Sequence, residues 1–240
     1  ECAVLSLKKE NGVFVVGTVK GEFRAKTVVN CAGAEASAVN AMAGAETYRT
    51  EFRKGEYYVL DHTERENVST VIFPLPTAAG KGILVAPTAD GNVIYGPTST
   101  PAEEDDTSVT AEGLEEIRSN VPRTYARPSF GKYIRVYCGV RTVVGHDFIV
   151  APSEKVKGLI ITAGICSPGL TSAPAIAEYV EELLLKELPL PLKESYIVRP
   201  PVRPRLADLD EEGLNALIAK DARWGKIVCR CEKVTEAEIV

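Results

Sequence analysis

Residues 158–187 carry an apolar strand, a glycine-rich turn and a long helix in immediate succession, and that order constrains the fold more than anything else in the chain. Leu159 to Ile161 is an apolar run of the length of a buried strand. Gly164 to Gly169 breaks it. Ser172 stands where it can cap a helix whose first turn holds Pro174, a place where a missing N–H costs nothing. Ala173, Ile176, Ala177, Val180, Leu183 and Leu184 fall on one helical face, and Pro189 ends the pattern. A strand, a glycine turn and a helix N-terminus make a seat for an anion or a cofactor, because the first-turn amides point outward without partners. An α/β domain can also contain such a turn for purely structural reasons.

At 240 residues there is room for one large domain or parts of two. The formal net charge of −5 and the lack of a basic cluster argue against nucleic-acid binding. No apolar run approaches the roughly 20 residues of a membrane span. The opening Glu-Cys-Ala-Val-Leu lacks the layout of a signal peptide, so the expectation is a cytoplasmic chain entered mid-domain. Cys2, Cys31, Cys138 and Cys166 sit in apolar segments and read as buried, reduced thiols rather than disulfides.

Val4–Leu7 and Val13–Val16 flank an Asn11-Gly12 hairpin signal, and a turn at Lys20-Gly21 extends them into an antiparallel meander. Thr27 to Asn30 runs into a short alanine-rich helix ending near Gly44. Strands are expected at 56–60, 70–73, 83–86 and 93–95. Thr110 opens a helix with Leu114, Ile117 and Val121 on one side and Pro122 at its end. Strands at 133–137 and 148–151 follow. The prolines from Pro189 to Pro204 predict a stiff, extended connector. A short helix capped by Asp210 comes next. The fold class is α+β in the middle, set into an α/β frame.

Arg141, in Cys138-Gly139-Val140-Arg141, emerges from an apolar and aromatic strand where it cannot be buried without a partner. Either it is paired structurally, or its planar fork holds a carboxylate or phosphate. Arg53 and Lys54, before Gly55 and Tyr57, are two solvated charges or contacts for an anion. His146 is a surface histidine or a base, and His62 reads as solvent-facing. Cys229-Arg230-Cys231-Glu232 places two thiols one residue apart. Both reach one metal, but a closed iron–sulfur or zinc site takes four ligands. Thr235 and Glu238 form a capping box.

The turn Gly-Ile-x-Ser-Pro-Gly-Leu-Thr at 164–171 resembles the flavin-contacting segment of the FAD-dependent oxidoreductases of the D-amino-acid oxidase / glycerol-3-phosphate dehydrogenase superfamily. Lys54–Tyr58, Ile72–Pro76, Gly80–Pro87, Asp90–Pro97, Gly139–Arg141 and Gly164–Pro174 match that superfamily in order. The A-subunit-like glycerol-3-phosphate dehydrogenases are the nearest resemblance. Ile227 to Glu232 with its capping box is similar to the opening of the bacterioferritin-associated-ferredoxin type [2Fe–2S] domain.

The resemblance implies an antiparallel substrate-domain sheet with a flanking helix, plus the remnant of a Rossmann-like FAD-binding domain. The boundaries it suggests are 1–45 and 139–187 for the FAD domain, 46–138 for the substrate domain, 188–225 for a linker with a short helix, and 226–240 for the start of a cluster domain. It implies FAD contacts at Cys31, Ala32, Gly33, Gly139, Gly164, Ile165, Ser167, Pro168, Gly169, Leu170 and Thr171. Substrate contacts fall to Arg53, Lys54, Tyr57 and Arg141, catalysis to Arg141 and His146, and [2Fe–2S] ligation to Cys229 and Cys231. The family's arginine is usually followed by proline, and here Thr142 follows. The implied activity is oxidation of a small anionic alcohol, most simply glycerol 3-phosphate, by hydride transfer to flavin, with a redox partner subunit as a further expectation. A 2-hydroxy-acid or amino-acid oxidase of the same fold is the enzyme alternative. A scaffold or electron-transfer module is the non-enzyme one. No Gly-x-Gly-x-x-Gly occurs in the chain, so the 240 residues alone are expected to hold neither FAD tightly nor a complete cluster.

Overall fold

Asn11 and Gly12 both take positive φ, 49° and 83°, and turn the first hairpin. This left-handed pair matches the twist of the strands it joins. β1 (Val4–Glu10), β2 (Val13–Thr18) and β3 (Gly21–Ala25) form the antiparallel meander that the turn signals predict. The computed structural model describes residues 2–76, 82–191, 193–195, 203–230 and 233–240. The chain divides into two compact units, Glu1–Leu190 and Pro191–Val240.

In the first unit β4 (Val28–Asn30) leads into α1 (Ala36–Met42). β5 (Thr50–Leu60) is the long central strand of a second sheet. β6 (Leu84–Pro87), β7 (Val93–Gly96) and β8 (Thr100–Ala102) follow, then α2 (Ala111–Asn120). Thr110 caps α2 as expected, its hydroxyl accepting from the Gly113 amide. β9 (Tyr133–Val144), β10 (Ile149–Pro152), β11 (Leu159–Ala163) and α3 (Gly169–Glu187) complete the unit.

Five strands make the antiparallel sheet in the order β6-β7-β5-β8, with β9 along the other edge of β5. Its core gathers Tyr58, Leu60, Val85, Val93 and Tyr95 with Ile117 and Val121 from the α2 side. β11 pairs antiparallel with β10 and parallel with β4, Leu159 opposite Val28 and Ile161 opposite Asn30. Every residue of β11 is buried, the pattern of a strand covered on both faces. Leu7 and Phe14 of the meander pack with Ala36, Leu159 and Ile161 into a second core. β11 thus lies alongside β4 and apart from the middle sheet.

Several expectations need correction. β9 runs unbroken from Tyr133 to Val144 and pairs with β5 down to Thr50, so the strand crosses the boundary expected after residue 138. Residues 70–73 contribute only the isolated bridge of Ile72 with Val85, while β8 was not anticipated. α3 begins at Gly169 rather than after Ser172, and the Ser172 hydroxyl donates back to the Pro168 carbonyl. Gly169 allows the early start, because a Cβ there would lie 2.6 Å from Ile165 Cγ2. Pro174 therefore stands inside the helix. The α3 face expected in the core is only partly covered: Leu183 is buried, but Ala173 and Ala177 are exposed. Cys2 and Cys31 are exposed, and Cys138 and Cys166 half-buried, because each sits at a strand end, a turn or a sheet face open to solvent.

The second unit holds α4 (Glu211–Lys220), β12 (Ile227–Cys229), β13 (Val234–Thr235) and α5 (Glu236–Ile239). Asp210 caps α4 and the Thr235–Glu238 capping box is present. Residues 206–225 are thus mostly helical, with the short helix expected after the connector present at α4. Half of the expected proline connector, residues 192 and 196–202, and Cys231 lie outside the described residues. No described helix is long and apolar enough to cross a membrane.

Candidate functional site

Alternation along β5 sorts its side chains into two faces. Lys54, Glu56 and Tyr58 are buried on the α2 side, while Arg53, Gly55 and Tyr57 lie on the opposite face. The β9 register sets Arg141 opposite Arg53, Gly139 opposite Gly55 and Tyr137 opposite Tyr57. One sheet face therefore carries a row of two guanidiniums, a row of two glycines and a row of two tyrosines. The tyrosine rings stack with centroids 4.7 Å apart and planes 6° from parallel. Burial raises both tyrosines above their ordinary pKa, so both phenols stay protonated in neutral solution.

Arg141 Nη2 donates to the Thr98 carbonyl at 2.8 Å. Arg53 Nε donates to Ser99 Oγ at 3.0 Å, and its Nη2 to the Ser99 carbonyl. Among the described residues neither guanidinium joins an ion pair. Carbonyls orient the two cations without neutralising them, so this face favours an anion. A Cβ on Gly55 would come within 2.8 Å of Pro97 Cβ and 3.3 Å of Arg141 Nη2, whereas one on Gly139 would meet nothing within 4 Å. The surface over Gly139 is open.

Lys54, expected beside Arg53 at the substrate, faces the other way. Its ammonium pairs with Asp106 at 2.8 Å, because adjacent residues of a strand point to opposite sides. Lys54 and Ser108 hold the Asp106 carboxyl down to about 2, and Asp106 in turn raises Lys54. On the same side, burial and then Glu56 raise the Cys138 thiol. His146, expected as a base, is exposed in the turn between β9 and β10. It lines a cleft of about 250 Å³ with Gly164, Ser167 and Pro168, and Arg141 is not among the lining residues.

A second groove, about 510 Å³, is lined by Cys31, Gly33, Thr142, Gly164, Ile165, Gly169 and the α3 residues Ala173, Ile176, Ala177 and Val180. Three of its lining residues, Gly33, Gly164 and Gly169, present bare backbone. Gly33 and Gly164 have φ of 61° and 67°, and a Cβ on Gly164 would lie 2.9 Å from Val144 Cβ. Ala32, Leu170 and Thr171 are not in the lining, and Leu170 is 92% exposed. The amides of Leu170 and Thr171 have no backbone acceptor among the described residues. Sequence reasoning missed Asn30, whose buried side chain shapes the 31–33 turn. It accepts from the Ala32 amide at 3.0 Å and donates to Ala36 O and Asn40 Oδ1, each at 2.7 Å. It also missed Thr98 and Ser99. A polar residue at the end of an apolar strand is the only local signal for Asn30.

The sequence profile of the FAD dependent oxidoreductase (DAO) family matches residues 1–183. The chain belongs to that family. Over 241 aligned residues it is 37% identical to a glycerol 3-phosphate dehydrogenase of Caloramator mitchellensis, covering 99% of the chain and 50% of that relative. A glycerol 3-phosphate oxidase of Mycoplasma genitalium is 30% identical over 176 residues, 72% of the chain and 46% of the relative. The chain thus spans about half the length of the curated relatives it matches. The solved FAD-bound L-alpha-glycerophosphate oxidase of Mycoplasma pneumoniae superposes with a TM-score of 0.69 at 26% identity, over 76% of this chain and 50% of that one.

The groove fits the cofactor of this FAD dependent family: its glycine turns keep side chains out of the space, and beside it the head of α3 carries two amides with no backbone acceptor among the described residues. The [2Fe–2S] expectation fares differently. Cys229 ends β12 half-buried, and among the described residues no group of three or more His, Cys, Asp or Glu side chains could hold a metal. Two thiols do not complete a cluster.

Proposed function

We propose that the chain forms the substrate-holding and flavin-facing part of an FAD-dependent enzyme that oxidises glycerol 3-phosphate. The observation that carries this reading is the pair Arg53 and Arg141, held side by side by neutral acceptors, the Ser99 hydroxyl and carbonyl and the Thr98 carbonyl, with no acid to balance them among the described residues. A phosphate set on that row receives hydrogen bonds from two charged forks. The open floor over Gly139 leaves room for a small carbon chain beside it, and the stacked Tyr57 and Tyr137 wall its far end. FAD, when bound, supplies the two-electron acceptor for the hydride. Cys31, Gly33, Gly164, Ile165 and Gly169 would line its seat, with Leu170 and Thr171 offering amide donors. His146, the candidate base for the hydroxyl proton, lines a cleft that does not include Arg141. Cys229 and Cys231 would give two of a cluster's four thiolates.

The second reading is a 2-hydroxy-acid dehydrogenase, since two arginines clamp a carboxylate as readily as a phosphate. It is supported by 27% identity over 181 residues to a mitochondrial L-2-hydroxyglutarate dehydrogenase of Arabidopsis thaliana. Steady-state turnover of the full-length, flavin-loaded enzyme on glycerol 3-phosphate and L-2-hydroxyglutarate separates the two. Arg141→Lys keeps the charge but loses the fork, so KM should rise about ten- to hundredfold with flavin content unchanged. Unaltered kinetics would remove Arg141 from the substrate.

A further inference from the structure

β7 and β8 both pair with the same edge of β5, β7 opposite residues 58–60 and β8 opposite residues 52–54. Between them the chain leaves the sheet as Pro97-Thr98-Ser99 and passes over Gly55 and Glu56. This short crossing is tight. A Cβ on Gly96 would lie 2.6 Å from Glu56 O and 2.7 Å from Tyr57 Cδ1. Thr98 is 1% exposed and is held at three points. Its Oγ1 accepts from the Glu56 amide at 3.0 Å, its own amide donates to Glu56 O at 3.3 Å, and its carbonyl accepts from Arg141 Nη2 at 2.8 Å. Glu56 is itself anchored, its buried carboxylate taking the Thr110 amide and hydroxyl at 2.9 Å each.

We propose that Thr98 is a positioning residue that aims the Arg141 guanidinium at the substrate anion through its main-chain carbonyl. The proposal rests on the reading that Arg141 holds that anion. A guanidinium has five N–H donors. Thr98 takes one, and the others have no partner among the described residues. A carboxylate in the place of this carbonyl would orient the arginine equally well but cancel the charge the ligand needs. A carbonyl does the first without the second. The carbonyl is only as fixed as the crossing that carries it, and the Thr98 hydroxyl fixes the crossing. Ser99 treats Arg53 in the same way, so one two-residue segment sets the spacing of both cations.

The test uses Thr98→Val, which keeps the shape and removes the oxygen that accepts the Glu56 amide. Binding of glycerol 3-phosphate to the full-length, flavin-loaded enzyme is measured by calorimetry well below the melting temperature, with inorganic phosphate as a second probe. Thr98→Val should weaken both about three- to tenfold, the worth of one modest hydrogen bond, and Thr98→Ser should recover most of the loss. On an Arg141→Lys background the Thr98→Val effect should vanish, since a residue acting through Arg141 is not additive with it. Full additivity, or wild-type binding by Thr98→Val while Arg141→Lys is impaired, overturns the Thr98 assignment alone. Wild-type binding by Arg141→Lys overturns the underlying reading instead. If Thr98→Val does not fold, Gly55→Ala decides in its place. Its methyl would press on Thr98 O at 3.2 Å and on Arg141 Nη2 at 3.3 Å, and unchanged anion binding there would equally refute the proposal.

Discussion

Gly113→Ala should destabilise the protein, although replacing glycine by alanine inside a helix ordinarily stabilises it by about 1 kcal/mol. Gly113 lies in the first turn of α2, and a Cβ there would overlap the carboxylate of Glu56. That carboxylate ends a flexible side chain, but it is not free to move aside. Glu56 is 1% exposed, and its two oxygens hold the Thr110 amide and hydroxyl. Pushing it away gives up two hydrogen bonds to a charged group, worth about 1.5–3 kcal/mol each. Part of that is recovered by relaxation and part offset by helix propensity, so a net loss of about 2–4 kcal/mol is expected. For a unit of this size, thermal unfolding followed by circular dichroism at neutral pH should show a fall of about 5–15 °C in Tm. The double variant Glu56→Ala/Gly113→Ala separates clash from propensity. With the carboxylate gone the methyl fills vacated space, and the double variant should be more stable than the sum of the two single losses. A Gly113→Ala protein that melts at or above the wild-type temperature would show that Glu56 moves freely, and the argument from its fixed carboxylate would fail.

Asp106, held down to about 2 from its ordinary 3.8, adds stability above the ordinary value that is lost as pH falls through that window. Asp106→Asn should therefore flatten the acid limb of a stability-versus-pH curve between about 4 and 2. Lys54 is raised above 10.5, so its share is present below that value and lost only as pH rises through the raised one; an acid limb unaltered in the Asp106→Asn protein would discount the pair. Asn30→Ala leaves the Ala32 amide and the Ala36 carbonyl without their buried partner, and urea unfolding should show a loss of about 3 kcal/mol. A loss below 1 kcal/mol would mean that water replaces the side chain.

Much of the chain is legible residue by residue, because the signals are local. Asn11-Gly12 turns its hairpin by backbone preference alone, and Thr110, Asp210 and the Thr235–Glu238 box satisfy amides within one helical turn of themselves. The unbroken apolar run at 159–161 announces a strand covered on both faces, and its neighbour at 28–30 follows from the strand–turn–helix order. Arg141 was visible as a cation emerging from an apolar and aromatic strand. Its setting was not. Which of Arg53 and Lys54 shares its face depends on the register of β5 against β9, and a shift of one residue exchanges them. The partners of Lys54, Glu56 and Arg141 are Asp106, Thr110 and Thr98, each more than forty positions away, and no local preference encodes such a pairing. The start of α3 was misread for the same reason. Ser172 is a good cap by composition, but the fit of Gly169 against Ile165 lets the helix begin four residues sooner. Local chemistry settled which segments are strands, turns and helix ends; the sheet register and the close approach of backbones, both consequences of packing, decided which charged side chains meet and which are left free to take an anion.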